Sequence, residues 1–117
     1  MELRYIVAYF FGGILILIGG WLLVTQYIYS KTVSKGKLMI DGPYKIVRHP
    51  YYAGFLYLVT GLALVYPIIE TVSVCFFSLF YLIYSIRKEE KVLIIQYGKR
   101  YKEYMGKVHW RLIPLIW

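Results

Sequence analysis

Apolar and polar residues fall along this chain in blocks. Tyr5 to Tyr29 contains no charged side chain, and the stretch from Tyr51 to Ile86 carries only Glu70. A helix needs roughly 20 apolar residues to cross a bilayer core, with about 17 as a practical minimum. The first block therefore predicts one crossing over residues 4–29, and the second is long enough for two shorter ones. Pro67 breaks a helix, which divides the second block into helices over residues 50–66 and 71–86. Pro50 suits a first helical turn, where its missing N–H would have no partner in any case. The third helix should run on past Ile86, because no breaker occurs between Arg87 and Tyr97.

Between the blocks lies a polar connector, residues 30–49. Lys35-Gly36-Lys37 and Asp41-Gly42-Pro43 carry turn chemistry, and the apolar strip Leu38-Met39-Ile40 between them is placed to close one wall of a pocket at headgroup level. After Gly98, Tyr101, Tyr104, Met105 and Val108 recur at helical spacing among Lys99, Arg100, Lys102 and Lys107. That pattern predicts a short amphipathic helix lying on the membrane surface. Leu112 to Trp117 forms an apolar, Trp-tipped end suited to the interface. The expected fold is a single all-α integral membrane domain with about three transmembrane helices, a connector and a C-terminal amphipathic helix.

Glycine spacing adds a packing expectation. Gly12-Gly13 and Gly19-Gly20 stand seven residues apart, as do Gly54 and Gly61. Small residues on one face let helices approach closely in lipid. Those faces suit contact with each other or with a second copy in a homo-oligomer.

Composition and charge then orient the chain. It is 60% hydrophobic with net charge +8. Of 14 Lys and Arg, only Arg4 precedes the first apolar block, while five lie in the connector and eight follow Ile86. The positive-inside rule places residues 30–49 and 87–117 in the cytoplasm, with the N-terminus and the Pro67 turn outside the cell membrane. The same cations favour anionic membrane lipids. Membrane anchoring accounts for them without nucleic acid as a partner. The first apolar block is too long for a signal core and lacks a small-x-small cleavage site, so it is expected to be retained. Cys75 stands alone, and His49 and His109 have no partner at metal-ligand spacing, so no metal site is expected.

Two polar clusters remain at the cytoplasmic boundary. One is Gly42-Pro43-Tyr44-Lys45-Ile46-Val47-Arg48-His49-Pro50-Tyr51-Tyr52, and the other is Glu89-Glu90. Consecutive helical residues project about 100° apart, so the two carboxylates cannot face one ligand equally. Either they pair with nearby cations on a solvated face, or one of them receives a cationic ligand.

Together these runs resemble the isoprenylcysteine carboxyl methyltransferases and the related phospholipid methyltransferases. The resemblance rests on Gly42-x-Tyr44, then Arg48-His49-Pro50-x-Tyr52-x-Gly54. Glu89-Glu90-x-x-Leu93, Tyr97-Gly98-x-x-Tyr101-x-x-Tyr104, Val108 and Ile113-Pro114 continue it. The resemblance implies an S-adenosyl-L-methionine site on the cytoplasmic side and methyl transfer to a lipophilic small molecule or lipid, an isoprenylcysteine-type carboxylate among the candidates. Carried over by position, Lys37, Leu38, Met39, Tyr44, His49, Pro50, Tyr51, Tyr52, Glu89 and Glu90 would hold the cofactor. Arg48, His49, Tyr52 and Arg87 are the candidates for catalysis. Relatives acting on prenylcysteine have an arginine where this chain has Ser85, with Arg87 two residues on, so the acceptor stays unnamed. Two other readings compete: an NADPH-dependent enzyme resembling sterol reductases, and a non-catalytic membrane subunit that keeps the fold.

Overall fold

The computed structural model describes residues 2–33, 37–114 and 116–117. Among the described residues four α-helices follow one another: α1 (Leu3–Thr32), α2 (Pro50–Val65), α3 (Ile69–Tyr97) and α4 (Lys99–Lys107), with a 3-10 turn at Gly42–Lys45. No strand occurs among the described residues. The body is elongated, 53 × 25 × 24 Å. The expected Lys35-Gly36 turn and Leu115 lie outside the described residues.

Close glycine contacts join α1 to α2. Gly12 lies against Gly61 and Gly19 against Gly54, so the two helices run antiparallel. A Cβ on Gly19 would stand 2.6 Å from the Gly54 carbonyl oxygen, and one on Gly54 would stand 2.9 Å from that of Gly19. Backbones this close admit only glycine. The seven-residue spacing thus serves packing within the chain. Gly13 and Gly20, the other member of each pair, have nothing within 4 Å of where a Cβ would sit.

The helix boundaries follow the sequence signals closely. Pro50 opens α2, α2 ends before Pro67, and α3 runs without a break to Tyr97. Gly98 separates α3 from α4 with φ 56° and ψ −124°, a conformation open chiefly to glycine. α1 and α3 are long and apolar enough to cross a membrane. α2 has 16 residues and reaches about 24 Å at 1.5 Å per residue, short of a bilayer core of roughly 30 Å. The three expected crossings therefore become two long helices and one shorter apolar helix packed beside them.

Two further expectations change. The apolar face of α4 turns inward, where Tyr101 and Tyr104 are buried with Leu38 and Val108. The connector covers this face, so the helix meets protein along the side expected to meet lipid. The C-terminal tail also folds back. Leu112 is fully buried with Leu22, Val47, Ala53, Leu56, Leu82 and Ile86, and Ile113 and Trp117 pack on that cluster. Its carbonyl accepts a hydrogen bond from the Tyr57 hydroxyl. Burying the tail joins all three long elements at the end of the molecule where the polar clusters lie.

Candidate active site

Arg48 and His49 sit between the 3-10 turn and α2, in a segment whose backbone N–H groups have no helix to serve. Buried backbone donors must find acceptors elsewhere. Arg48 N donates to the Trp110 carbonyl at 2.8 Å and His49 N to that of Arg111 at 3.1 Å. The returning tail thus fixes the segment from behind. The residue before a proline is kept out of the helical region, and His49 has φ −130° and ψ 68°.

Behind this segment lies an ion cluster centred on Glu90. His49 Nε2 donates to Glu90 Oε1 at 2.9 Å, and Arg111 Nε reaches both carboxylate oxygens at 3.0 and 3.2 Å. Arg48 Nη2 stands 3.5 Å from Oε1. Arg48, His49 and Glu90 are all buried. Burial on its own would raise the Glu90 pKa. The hydrogen bonds from His49 and Arg111 and the charge of Arg48 outweigh it and hold the carboxyl down at about 2. Two arginines share this one carboxylate, so the cluster carries excess positive charge.

In front lies a cleft. Lys37, Leu38 and Met39 line it from the connector, and Tyr44, Arg48, His49, Tyr51 and Tyr52 from the following segment. Glu89, Leu93 and Tyr97 line it from α3, and Tyr101 and Tyr104 from α4. Positions 89, 93 and 97 recur every four residues and so share one helix face. Glu89 is exposed, makes no ion pair with a described residue, and lies within reach of the Tyr52 hydroxyl. The Tyr104 hydroxyl donates to the Tyr44 carbonyl. Two buried polar atoms of lining residues have no partner among the described residues: Arg48 Nε and the Tyr101 hydroxyl. Burial, followed by the charge of Glu90, pushes the Tyr101 phenol well above its ordinary pKa, so it stays a neutral donor. Unpaired buried donors are rare in folded proteins. Here both belong to residues that line the same hollow.

The structure separates the residues singled out in the sequence. Lys37, Leu38, Met39, Tyr44, Arg48, His49, Tyr51, Tyr52 and Glu89 line the cleft together. Pro50 is fully buried at the start of α2, and Glu90 anchors the cluster behind the wall. Arg87 lies elsewhere. Two residues before Glu89 it projects about 200° away around the helix, into a separate hollow with Phe80, Ile83, Tyr84, Lys88 and Lys91. Arg87 thus stands on a different face of α3 from the one that Ser85 and Glu89, four residues apart, share. Sequence reasoning missed Leu93, Tyr97, Tyr101 and Tyr104 as lining residues, and missed Arg111 as a partner of Glu90. The α4 periodicity that marked Tyr101 and Tyr104 as one apolar face was the available signal.

A second hollow meets the cleft. Tyr51, Tyr52, Phe55, Phe77, Ser78, Tyr81 and Leu82 line a groove of about 490 Å³ between α2 and α3. It shares Tyr51 and Tyr52 with the cleft, and its remaining lining (Phe55, Phe77, Ser78, Tyr81 and Leu82) carries no charge.

The sequence profile of a family described as Phospholipid methyltransferase matches residues 7–100. The chain belongs to the phospholipid methyltransferase family. The matched span takes in the glycine-packed pair α1–α2, the Arg48–Tyr52 segment and Glu89-Glu90, and it ends just before Tyr101. Family membership and the two long apolar helices make this a membrane protein of a methyltransferase family. No curated protein and no solved structure matches the chain.

Proposed function

We propose that the protein transfers a methyl group from S-adenosyl-L-methionine to a lipophilic acceptor at the cytoplasmic membrane boundary. One observation carries this reading: a cleft lined in part by charged side chains and an aromatic groove with no charged side chain on its lining meet at Tyr51–Tyr52. A soluble charged donor and a lipid acceptor need such a meeting point, because neither is stable in the other's solvent.

The residues present fit the cofactor's chemistry. Bound there, S-adenosyl-L-methionine would supply an electrophilic methyl on a sulfonium. Glu89, which makes no ion pair among the described residues, offsets positive charge at the mouth. Arg48 Nε and the Tyr101 hydroxyl supply donors suited to a carboxylate. Tyr44, Tyr97 and Leu93 offer flat and apolar surface for an aromatic base. The cleft measures about 110 Å³, less than a ligand of nucleoside size occupies, so such a ligand would extend beyond it. His49 and Tyr52 stand at the border with the groove. With Nε2 donated to Glu90, His49 acts mainly by holding its place, and Tyr52, a neutral phenol whose hydroxyl lies within reach of Glu89, would relay a proton from an amine or hydroxyl acceptor to that carboxylate. A carboxylate acceptor would need no base. Alignment and exclusion of water supply the remainder of the rate.

Calorimetric titration of the detergent-solubilised protein tests the reading. S-adenosylhomocysteine should bind, and Glu89→Gln should weaken it on the order of tenfold, as expected for loss of a charge-assisted contact. Failure of S-adenosylhomocysteine to bind, or binding of NADPH in its place, would sink the proposal.

A further inference from the structure

The hollow that receives Arg87 lies on the side of α3 facing away from the cleft. Phe80, Tyr84, Arg87 and Lys91 follow one another at four-, three- and four-residue steps, which sets them in a single line along the helix. Ile83 and Lys88 flank the line, and together the six residues border about 520 Å³ of open space. The line changes character along its length. Phe80 and Tyr84 are 58% and 65% exposed within the apolar stretch that ends at Ile86, whereas the cations begin immediately after it. From Phe80 to Lys91 the helix rises about 16 Å. Arg87, Lys88 and Lys91 make no ion pair with any described residue. The two glutamates between them point away: Glu90 is enclosed in its cluster and Glu89 lines the cleft.

We propose that this stripe is a binding site for an anionic phospholipid, distinct from the cleft and its substrate. The cations receive the phosphate-bearing headgroup, and the acyl chain lies along Phe80, Ile83 and Tyr84. Charge complementarity selects an anionic headgroup. The exposed apolar half selects an amphiphile, since a soluble phosphate would leave Phe80 and Tyr84 uncovered. An arginine among the cations adds a planar fork that matches phosphate oxygens. The same geometry explains what a cation so near the candidate active site does while facing away from it. The proposal requires only that the chain is a membrane protein, so it stands or falls separately from methyl transfer.

Native mass spectrometry of the full chain, released from vesicles of equimolar phosphatidylglycerol and phosphatidylcholine, reads the site directly. The wild-type protein should retain phosphatidylglycerol in preference, on the order of tenfold. The triple variant Arg87→Gln, Lys88→Gln, Lys91→Gln should lose that preference. A control triple on α4 (Lys99→Gln, Arg100→Gln, Lys102→Gln) should keep it. Lys91→Glu, placed beyond the apolar stretch, supplies a second variant whose folding is little threatened and which should lower retention alone. Three outcomes would overturn the site: preference kept in the first triple, equal loss in the control, or displacement of the lipid by millimolar inorganic phosphate.

Discussion

Glu89 and Glu90 are neighbours in sequence, yet they belong to two regions governed by different physics. Glu90 lies behind the Arg48–His49 segment, buried and bonded to His49 and Arg111 with Arg48 close by. Glu89 stands in front of it, exposed, at the edge of a cleft whose lining includes Arg48 and Tyr101, each with one buried polar atom that has no partner among the described residues. A rotation of about 100° along one helix separates them. The difference teaches that the back of the wall is complete without a ligand, and the front is not. Stability should therefore reside behind the wall and ligand affinity before it.

Substituting each carboxylate tests that division most severely. Glu90→Gln leaves Arg48 and Arg111 without their counter-charge, and breaking a buried pair in this way costs roughly 3–5 kcal/mol. Unfolding of the detergent-solubilised variant should shift accordingly. Glu89→Gln should change stability by no more than about 0.5 kcal/mol, as for other exposed substitutions. Equal losses in the two variants would erase the distinction between the regions.

Acid should discriminate next. The Glu90 carboxyl has its pKa lowered from 4.5 to about 2 in the folded protein. Its stabilisation is therefore fully present above pH 4.5 and is lost as the pH falls toward 2. The shift corresponds to a contribution on the order of 3 kcal/mol. Denaturant titrations across that window should show the loss in wild type and a flatter profile in Glu90→Gln. A wild-type stability independent of pH there would mean that the cluster does not hold the tail to the wall.

These same two residues show where sequence reasoning reached and where it stopped. The helices were legible because apolar runs, Pro50, Pro67 and Gly98 are local signals whose effect does not depend on distant contacts. Glycine spacing announced a packing face, although only the fold showed that Gly12 and Gly19 meet Gly61 and Gly54. The cleft's connector wall was legible through its motif. The roles of the two glutamates were not, because Glu90 takes its partner from Arg111, 21 residues away on a tail that reads as an interfacial end. The inward turn of α4 escaped for a related reason. A stripe of Tyr101, Tyr104 and Val108 announces an apolar face but does not say whether lipid or the connector covers it. Arg87 is the opposite case: its two-residue offset from Glu89 already turns it across the helix, and geometry alone would have removed it from the cleft.

The smallest effect sharpens the comparison furthest, because it concerns one atom. The Tyr101 hydroxyl is buried at the cleft with no partner among the described residues, and an unsatisfied buried hydroxyl costs about 1–3 kcal/mol. Tyr101→Phe keeps the ring that packs with Leu38 and Tyr104 and removes only that atom. A purely structural tyrosine would therefore become no less stable, and the variant's melting temperature should stay level or rise by the equivalent of about 1 kcal/mol. S-adenosylhomocysteine affinity should fall several-fold in the same protein, since the donor would otherwise have met the ligand. Stability gained while affinity is lost identifies a group held unsatisfied for a ligand. Affinity unchanged, with stability raised, would return Tyr101 to the core and leave Glu89 and Arg48 alone to define the front of the wall.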